Sequence, residues 1–460
     1  MYSFSAGVNR FRSSQSLGRG LCWVVLVLAL AWTPAKGAGK EAAYDTLLDK
    51  LHEKKILTDE EYQELKRAVQ KANESEEREK AEAGENRQTA EIGEERENKI
   101  DKLLERLGGF EIGTLSYIDF SAGKEDDGDS FNRFAITRGY LNVKWKLNPW
   151  LGFRVTPDVH VDSDGNFNLR LKYLYAELRP PNLSFLTDMK SEIGIGHMPW
   201  LDLEEHINPY RVQGTMFIER AGIFNSSDLG VSLQGNIGGQ IDADYQEAVS
   251  HYYPGRWGTW HIGVFNGGGY HSDESNQNKV PEWRISLRPL PDLLPGLQLH
   301  YFGLYGKGNT KQLDGFPDYQ VNLAMLSYQN EWITFTGQYA SARGNNKGSL
   351  VVPDTDRALR EQGYSFFFNT KLPILDRKLN AFARYDHFDP DTKNWITPGD
   401  DSYNLAYAGM AWQFFRHWMV LLAYQRIFYE DNNAGLGAVP ETGANLADDW
   451  RIQTALQIDF

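Results

Sequence analysis

The sequence predicts an all-β transmembrane barrel of about sixteen antiparallel strands, preceded by a short α-helical or coiled-coil segment. Three observations carry this reading. After residue 108, apolar and polar residues alternate along short segments, as they do in strands with one face in lipid and one in water. The connections between these segments alternate between tight turns and long stretches rich in Asp, Gly and Asn. Finally, 13% of residues are aromatic although the mean hydropathy is only −0.52. That combination suits a barrel, where alternate strand residues meet lipid and aromatic girdles mark the interfaces.

Residues 1–38 read as a secretory signal peptide. Arg10, Arg12 and Arg19 precede an uncharged run from Leu21 to Trp32, followed by Thr33-Pro34-Ala35-Lys36-Gly37-Ala38. The run is too short to cross a bilayer as a helix, which takes about 20 apolar residues. Cleavage is expected near Gly37 or Ala38. Cys22, the only cysteine, lies within the part removed. The mature chain is therefore expected to lack disulfides, thiolate metal sites and covalently attached haem.

Residues 39–107 read as a periplasmic helical segment, free of proline and rich in Glu, Lys, Ala and Arg. Tyr44, Leu47, Leu48 and Leu51 fall at helical spacing, and Thr58-Asp59-Glu60-Glu61 forms a capping box at the start of a second helix. Residues 72–98 are almost wholly polar, a helix or a solvated spacer. Ile100, Leu103, Leu104 and Leu107 restore an apolar stripe over too few heptads to settle a coiled coil.

Residues 108–460 carry the barrel pattern. At the carboxyl end Trp450, Ile452, Thr454, Leu456, Ile458 and Phe460 alternate with Arg451, Gln453, Ala455, Gln457 and Asp459. Leu141, Val143, Trp145 and Leu147 alternate with Asn142, Lys144 and Lys146. After the turn at Asn148-Pro149-Trp150, Leu151, Phe153 and Val155 alternate with Gly152, Arg154 and Thr156. Trp283, Ile285 and Leu287 repeat the pattern against Arg284, Ser286 and Arg288, as do Ile333, Phe335 and Tyr339 against Thr334, Thr336 and Gln338. Long connections are expected at 121–131, 268–280, 343–362 and 429–447, and a second short one at Gln329-Asn330-Glu331. Strands open to lipid must close on themselves, because unpaired backbone amides are costly there. Phe460, an aromatic ending an alternating strand, resembles the signal read by the barrel-insertion machinery. A soluble exported β-protein would share the alternation but not the asymmetric connections.

The net charge of −14 speaks against a nucleic-acid partner, which would need clustered Lys and Arg, and none is expected. His197, His206, His251, His261 and His271 match no paired-ligand spacing, so no metal is expected. The acidic runs 125–129 and 162–166 read as turn chemistry before calcium loops. No nucleophile elbow, zinc-binding helix motif or phosphate-cradling glycine loop occurs, so neither an enzymatic role nor a cofactor is expected.

Short motifs resemble the phosphate-selective porin O and P family: Phe217-Ile218-Glu219-Arg220 followed by Asp228-Leu229-Gly230-Val231, Ile193-Gly194-Ile195-Gly196-His197-Met198-Pro199-Trp200, Ile262-Gly263-Val264-Phe265-Asn266-Gly267, and the helix-turn-helix from Leu47 to Lys71. The resemblance implies a sixteen-stranded outer-membrane barrel, usually trimeric, that conducts small solutes passively. It places an inward-folded constriction loop at Asp202–Arg220, with Glu204, Glu205, His206, Arg211, Glu219 and Arg220 as its charged groups. A Glu219–Arg220 ion pair pinning the loop to the wall is the structural alternative there. The alternation nominates Lys144, Lys146, Arg154, Arg170, Lys172, Arg284, Arg288, Arg384 and Arg451 as lumenal cations, against Asp158, Asp386 and Asp459. The barrel's excess of acids departs from the family's cationic lumen, so phosphate is not assigned as solute. From a different class, the barrel could be a sleeve joining multihaem cytochromes across the outer membrane. With no Cys-x-x-Cys-His in the chain, any haem would come from those partners.

Overall fold

The computed structural model describes residues 48–49, 52–53, 58–82, 109–161, 165–313, 315–396, 398–415, 417–431, 433–441 and 446–460. The chain divides into two units, Met1–Gly108 and Gly109–Phe460. The signal-peptide expectation for 1–38 and the apolar stripe at 100–107 lie outside the described residues.

In the first unit, α1 (Asp59–Glu82) starts at the capping box. The Thr58 amide donates to Glu61 Oε2 at 3.0 Å, and the Glu61 amide donates back to Thr58 Oγ1 at 3.3 Å. Asp59, Glu60 and Glu61 crowd the first turn, where carboxylates offset the helix dipole. The helix then runs past Lys71 into the charged stretch and ends at Glu82. Helix-forming Glu, Lys, Ala and Arg carry it there without an apolar face.

The second unit is a closed antiparallel barrel of sixteen strands, each paired with its neighbours in sequence. They are β1 (Phe110–Lys124), β2 (Ser130–Asn148), β3 (Leu151–Val161), β4 (Phe167–Leu178), β5 (Leu186–His197), β6 (Ser227–Ile237), β7 (Gly258–Phe265) and β8 (Val280–Leu287). The other half comprises β9 (Leu297–Lys307), β10 (Asp318–Gln329), β11 (Ile333–Arg343), β12 (Arg360–Lys371), β13 (Leu379–Asp389), β14 (Tyr403–Phe415), β15 (Trp418–Tyr429) and β16 (Asp449–Asp459). β1 closes on β16 in the register Leu115↔Asp459 to Lys124↔Trp450. Thr114 and Phe460 exchange both backbone hydrogen bonds at the seam, at 2.7 and 3.1 Å.

The end of the barrel that holds Phe110 and Phe460 is called the terminal end here, and the opposite one the loop end. Two terminal-end turns use one device. Asn148 Oδ1 accepts from the amides of Trp150 (3.0 Å) and Leu151 (2.9 Å), and Asn330 Oδ1 accepts from Trp332 and Ile333 at 2.8 Å each. An asparagine carboxamide satisfies the amides that a tight reversal leaves free.

Two connections differ from the sequence expectation. The stretch 121–131 is not a long loop: β1 and β2 continue through it, leaving a tight reversal at 125–129, where Asp129 and Glu125 are bonded across the turn. Conversely, the terminal-end connection 238–257 is long and carries a helix, α4 (Ala243–Ala248), where a tight turn would be expected. The loop-end connection 198–226 carries two more, α2 (Leu201–Ile207) and α3 (Phe217–Arg220).

Strand β8 shows the two faces plainly. Glu282, Arg284 and Ser286 are buried inward, while Trp283, Ile285 and Leu287 are exposed outward for lipid. The inner wall itself is divided. From β9 to β15 it is largely apolar, with Phe302, Leu323, Phe367, Phe382, Leu405 and Leu421 in one buried cluster. From β2 to β5 it is polar, with Arg138, Tyr140, Arg154, Lys172 and Glu192 facing inward.

Candidate pore constriction

The connection 198–226 folds into the barrel and lies on the apolar wall. Its own sequence explains this: Met198, Trp200, Leu201, Leu203, Ile207, Met216, Phe217, Ile218, Ile223 and Phe224 are all buried. Each fully buried side chain of this size contributes about 1.5–3 kcal/mol to docking. Specific ring contacts fix the seat. Tyr210 stacks on Phe382 with centroids 4.1 Å apart and donates to Asn369 Oδ1 at 2.7 Å. Phe224 and Trp200 both pack on Phe302, at 5.4 and 5.9 Å. At the neck, Lys172 Nζ donates to Ser226 Oγ at 2.6 Å, and the Met198 amide donates to Ser226 O at 3.2 Å.

Four of the nine nominated cations grip folded-in backbone. Arg284 Nε donates to Pro199 O at 2.7 Å, Arg384 Nη1 to Thr215 O at 3.0 Å and Arg451 Nη2 to Gln213 O at 3.1 Å. Arg288 Nε donates to Gly255 O, in the terminal-end connection, at 3.3 Å. Arg384 also forks onto Asp386, Nε to Oδ1 at 2.8 Å. Arg284, Arg288 and Arg384 point inward as the alternation implies, yet chain covers them to 4% exposure or less.

The loop's charged groups divide between the wall and the opening. Glu204 is buried against the wall, accepting from Trp200 Nε1 at 2.9 Å and Gln338 Nε2 at 2.6 Å. Burial pushes its carboxyl above the ordinary range, and Arg384 and these two donors only partly oppose that. Glu205 keeps 30% of its side chain exposed and sits 3.2 Å from Arg211 Nη1. Arg211 forks onto Glu219: its Nη1 bonds Oε2, and Nη2 reaches Oε1 at 2.8 Å. Burial would raise the Glu219 carboxyl, but the Arg211 guanidinium overrides it and brings it to about 2. The partner of Glu219 is thus Arg211, and not its neighbour Arg220. Arg220 instead donates to Gln425 and Gln213, at 3.3 Å each.

Opposite Glu205, Arg211 and Glu219 stands the polar wall. Register places Arg170 beside Asp158, with Nε 2.8 Å from Oδ2, and Lys144 beside Arg154. Arg154 donates to Asn142 Oδ1 at 3.0 Å and lies 4.3 Å over the ring of Tyr173. Arg138 covers Tyr140 at 5.2 Å, and Lys172 lies within 5.6 Å of Tyr140, Tyr173 and Tyr270. Lys146 sits at the terminal-end mouth, 2.9 Å from Glu111. These cations form a ladder from Arg138 and Arg170 through Arg154 and Lys144 to Lys146, facing the acids of the loop. Sequence reasoning missed Lys190, which pairs with Glu192 at 2.8 Å, and Arg138, although Arg138 shares the parity of Asn142 and Lys144 and extending that alternation upstream reaches it.

The terminal-end connection 238–257 was also missed. It rises inside the barrel until the Tyr253 hydroxyl bonds Asp202 of α2, and Tyr252 packs on the His206 ring. Arg284 lies 4.8 Å over the Tyr253 ring. Burial favours the neutral form of Asp202, but His206, His197 and the Tyr253 hydroxyl hold its carboxyl well below the ordinary range. The loop 198–226 is therefore braced from the opposite end of the barrel.

A sixteen-stranded barrel with an exposed apolar exterior and a long loop folded against its inner wall is the general outer-membrane porin fold. No family model matches the sequence, and no curated protein matches it. Among solved structures, the fold is similar to OmpF of Salmonella typhi in complex with daunomycin: TM-score 0.52, 12% identity, 76% of this chain and 97% of that one. It is likewise similar to an anion-selective porin from Comamonas acidovorans, with TM-score 0.50 at 10% identity, covering 76% of this chain and 100% of that one. The outer-membrane channel DcaP of Acinetobacter baumannii gives TM-score 0.50 at 11% identity, covering 77% of this chain and 98% of that one.

Proposed function

We propose that this protein is an outer-membrane porin through which small hydrophilic anions diffuse passively, with the terminal end of the barrel and the helical segment on the periplasmic side. The observation that carries the reading is the ladder of Arg138, Arg170, Arg154 and Lys144 opposite a loop fixed to the other wall. Selectivity follows the charges lining the narrowest passage and not the net charge of the chain. The mechanism is electrostatic. An anion leaves bulk water for a passage where guanidinium groups replace part of its hydration, and it steps between neighbouring cations without being held by any. Glu205 and Glu219 across the gap set a transverse field that orients dipolar solutes and disfavours a second anion.

Phosphate or another oxyanion is the solute class that the family resemblance adds, and assembly as a homotrimer belongs to the same resemblance. Phe460, facing outward at 67% exposure, is the residue proposed to be read during barrel insertion. The packing of 198–226 and 238–257 inside the barrel weighs against a sleeve for cytochromes, because these segments occupy the space that a partner polypeptide would need.

The test is the reversal potential of the purified protein in a planar bilayer under a potassium chloride gradient. Anion selectivity, reduced by Arg138→Glu, is the expected result. Cation selectivity would overturn the anion reading, and absence of conductance would overturn the porin reading in favour of the sleeve.

A further inference from the structure

We propose that the outer wall carries a docking site for a phosphorylated glycolipid, its headgroup phosphate held at the loop-end rim and its acyl chains lying in a groove below. The inference rests on the outer-membrane orientation proposed above, and concerns a surface that takes no part in conduction.

Lys307, Asp318, Arg343 and Arg360 stand at the loop ends of β9, β10, β11 and β12. Their strand neighbours Tyr319, Ala342 and Glu361 are buried inward, so these side chains point out of the barrel. With Arg357 and Trp395 they line a pocket of about 290 Å³. Asp318 orients two of the cations, taking Lys307 Nζ at 2.7 Å and Arg343 Nη1 at 2.9 Å. Arg357 lies 3.5 Å over the Trp395 ring, and Arg360 lies 5.8 Å from it. Only Asp318 and Asp356 oppose four cations in this pocket.

Two details call for an anion. Arg343 and Arg360 are direct cross-strand partners, a destabilising like-charge pairing in which Asp318 takes Arg343 but not Arg360. Among the described residues, neither Arg357 nor Arg360 has a carboxylate within ion-pair distance, so both forks are available. A phosphate suits them, because guanidinium donors match its oxygens two at a time.

Below the pocket, the outer faces of β11–β15 form an apolar groove of about 620 Å³. Phe366, Phe368 and Tyr424 flank it, while Ala383, Ala406 and Ala408 leave the wall indented. Strand β12 joins the two features, with Arg360 in the pocket and Phe366 in the groove. At about 3.3 Å per residue they are roughly 20 Å apart along the strand. That offset fits one molecule with a charged head and long chains better than a soluble anion, which would use the pocket alone.

The test uses full-length protein in phosphatidylcholine vesicles doped with diphosphoryl lipid A or with its dephosphorylated form. The reading is the temperature at which the heat-modifiable barrel band is lost on a gel. The expected result is an upward shift of several degrees with the diphosphoryl form, largely abolished in Arg357→Ala/Arg360→Ala and reduced in Ala406→Phe, which fills the groove. An equal shift with the dephosphorylated form, or in the double arginine variant, would overturn the proposal. A shift produced by inorganic phosphate alone would overturn it in favour of a free-anion pocket. A shift that follows protein density in the vesicle and not the lipid would give the groove to a second copy of the chain. Failure to obtain a heat-modifiable band in any vesicle would instead sink the porin reading itself, so the two failures are distinguishable.

Discussion

The two halves of the inner wall solve opposite problems. From β9 to β15 the wall is a core: Phe302, Leu323, Phe382 and Leu405 are buried under the loop 198–226, and Gln338 and Arg384 among them are bonded to it. From β2 to β5 the wall is a surface, with Arg138, Arg154 and Arg170 still partly open. A barrel of this size has too wide a bore to select among small solutes. Filling one side with a packed loop narrows it and leaves open the side that keeps its charges. The difference teaches that, on the proposed reading, shape and selectivity would reside in separate sets of residues and could be altered separately.

The strongest way to break the comparison is to charge the packed half. Leu203→Asp puts a carboxylate between α2 and the wall, costing on the order of 5 kcal/mol of docking energy. The barrel should remain heat-modifiable, while conductance rises and protease cuts within 198–226. Loss of the folded barrel would show that the loop is needed for closure and not only for narrowing.

Next in size is Arg211→Ala, which strands Glu219 and should cost about 3–5 kcal/mol of loop stability. It also carries a pH signature. A carboxyl lowered to about 2 contributes its stability above the ordinary carboxylate range and loses it only as pH falls through that low value. Glu219 should therefore add no pH dependence to wild-type conductance between neutral pH and about 4. Without Arg211, burial dominates and Glu219 should titrate above its ordinary value, so conductance measured between pH 4 and 7 becomes pH-dependent. A flat profile in the variant would remove Glu219 from the constriction.

A smaller effect, about 1.5–3 kcal/mol, is expected for Tyr253→Phe, which removes the hydroxyl that bonds Asp202. The readout is current noise in single channels, which should rise while mean selectivity stays the same. Unchanged noise would mean that the terminal-end brace does not steady the loop. Smallest in fold energy is Lys144→Glu, the exposed member of the ladder on the open wall, within about 1 kcal/mol. Its expected effect is a several-fold loss of anion preference in the reversal potential. If preference were untouched, the ladder would not line the passage.

The sequence made the polar half legible and hid the other. Around Asn142, Lys144 and Lys146 one parity is polar and the next apolar, so strand, register and facing all follow from the pattern. In β10 the inward Val321, Leu323 and Met325 alternate with outward Ala324 and Leu326, and two apolar faces leave no alternation to read. The apolar inner wall therefore passed unseen until the loop that covers it was placed. The same gap explains the arginines. Parity shows that Arg284 and Arg384 point inward, but only the path of 198–226 shows what they meet. Its charged residues were legible as a group, whereas the choice of Arg211 over Arg220 as the partner of Glu219 depends on the turn between α2 and α3. The long connection 238–257 carried no signal beyond its length, because its contacts with Asp202 and His206 are made across the barrel.

The clamps on the folded-in loop 198–226 hold Pro199, Gln213 and Thr215 by their carbonyl oxygens, a group that every residue presents. A substitution at the loop's lumenal positions leaves those three attachments intact. The scaffold is therefore indifferent to the identity of much of what it holds. Such a channel could acquire a new preference in single steps, each variant still seated in the same place, with the arginines beneath as the positions that tolerate least change.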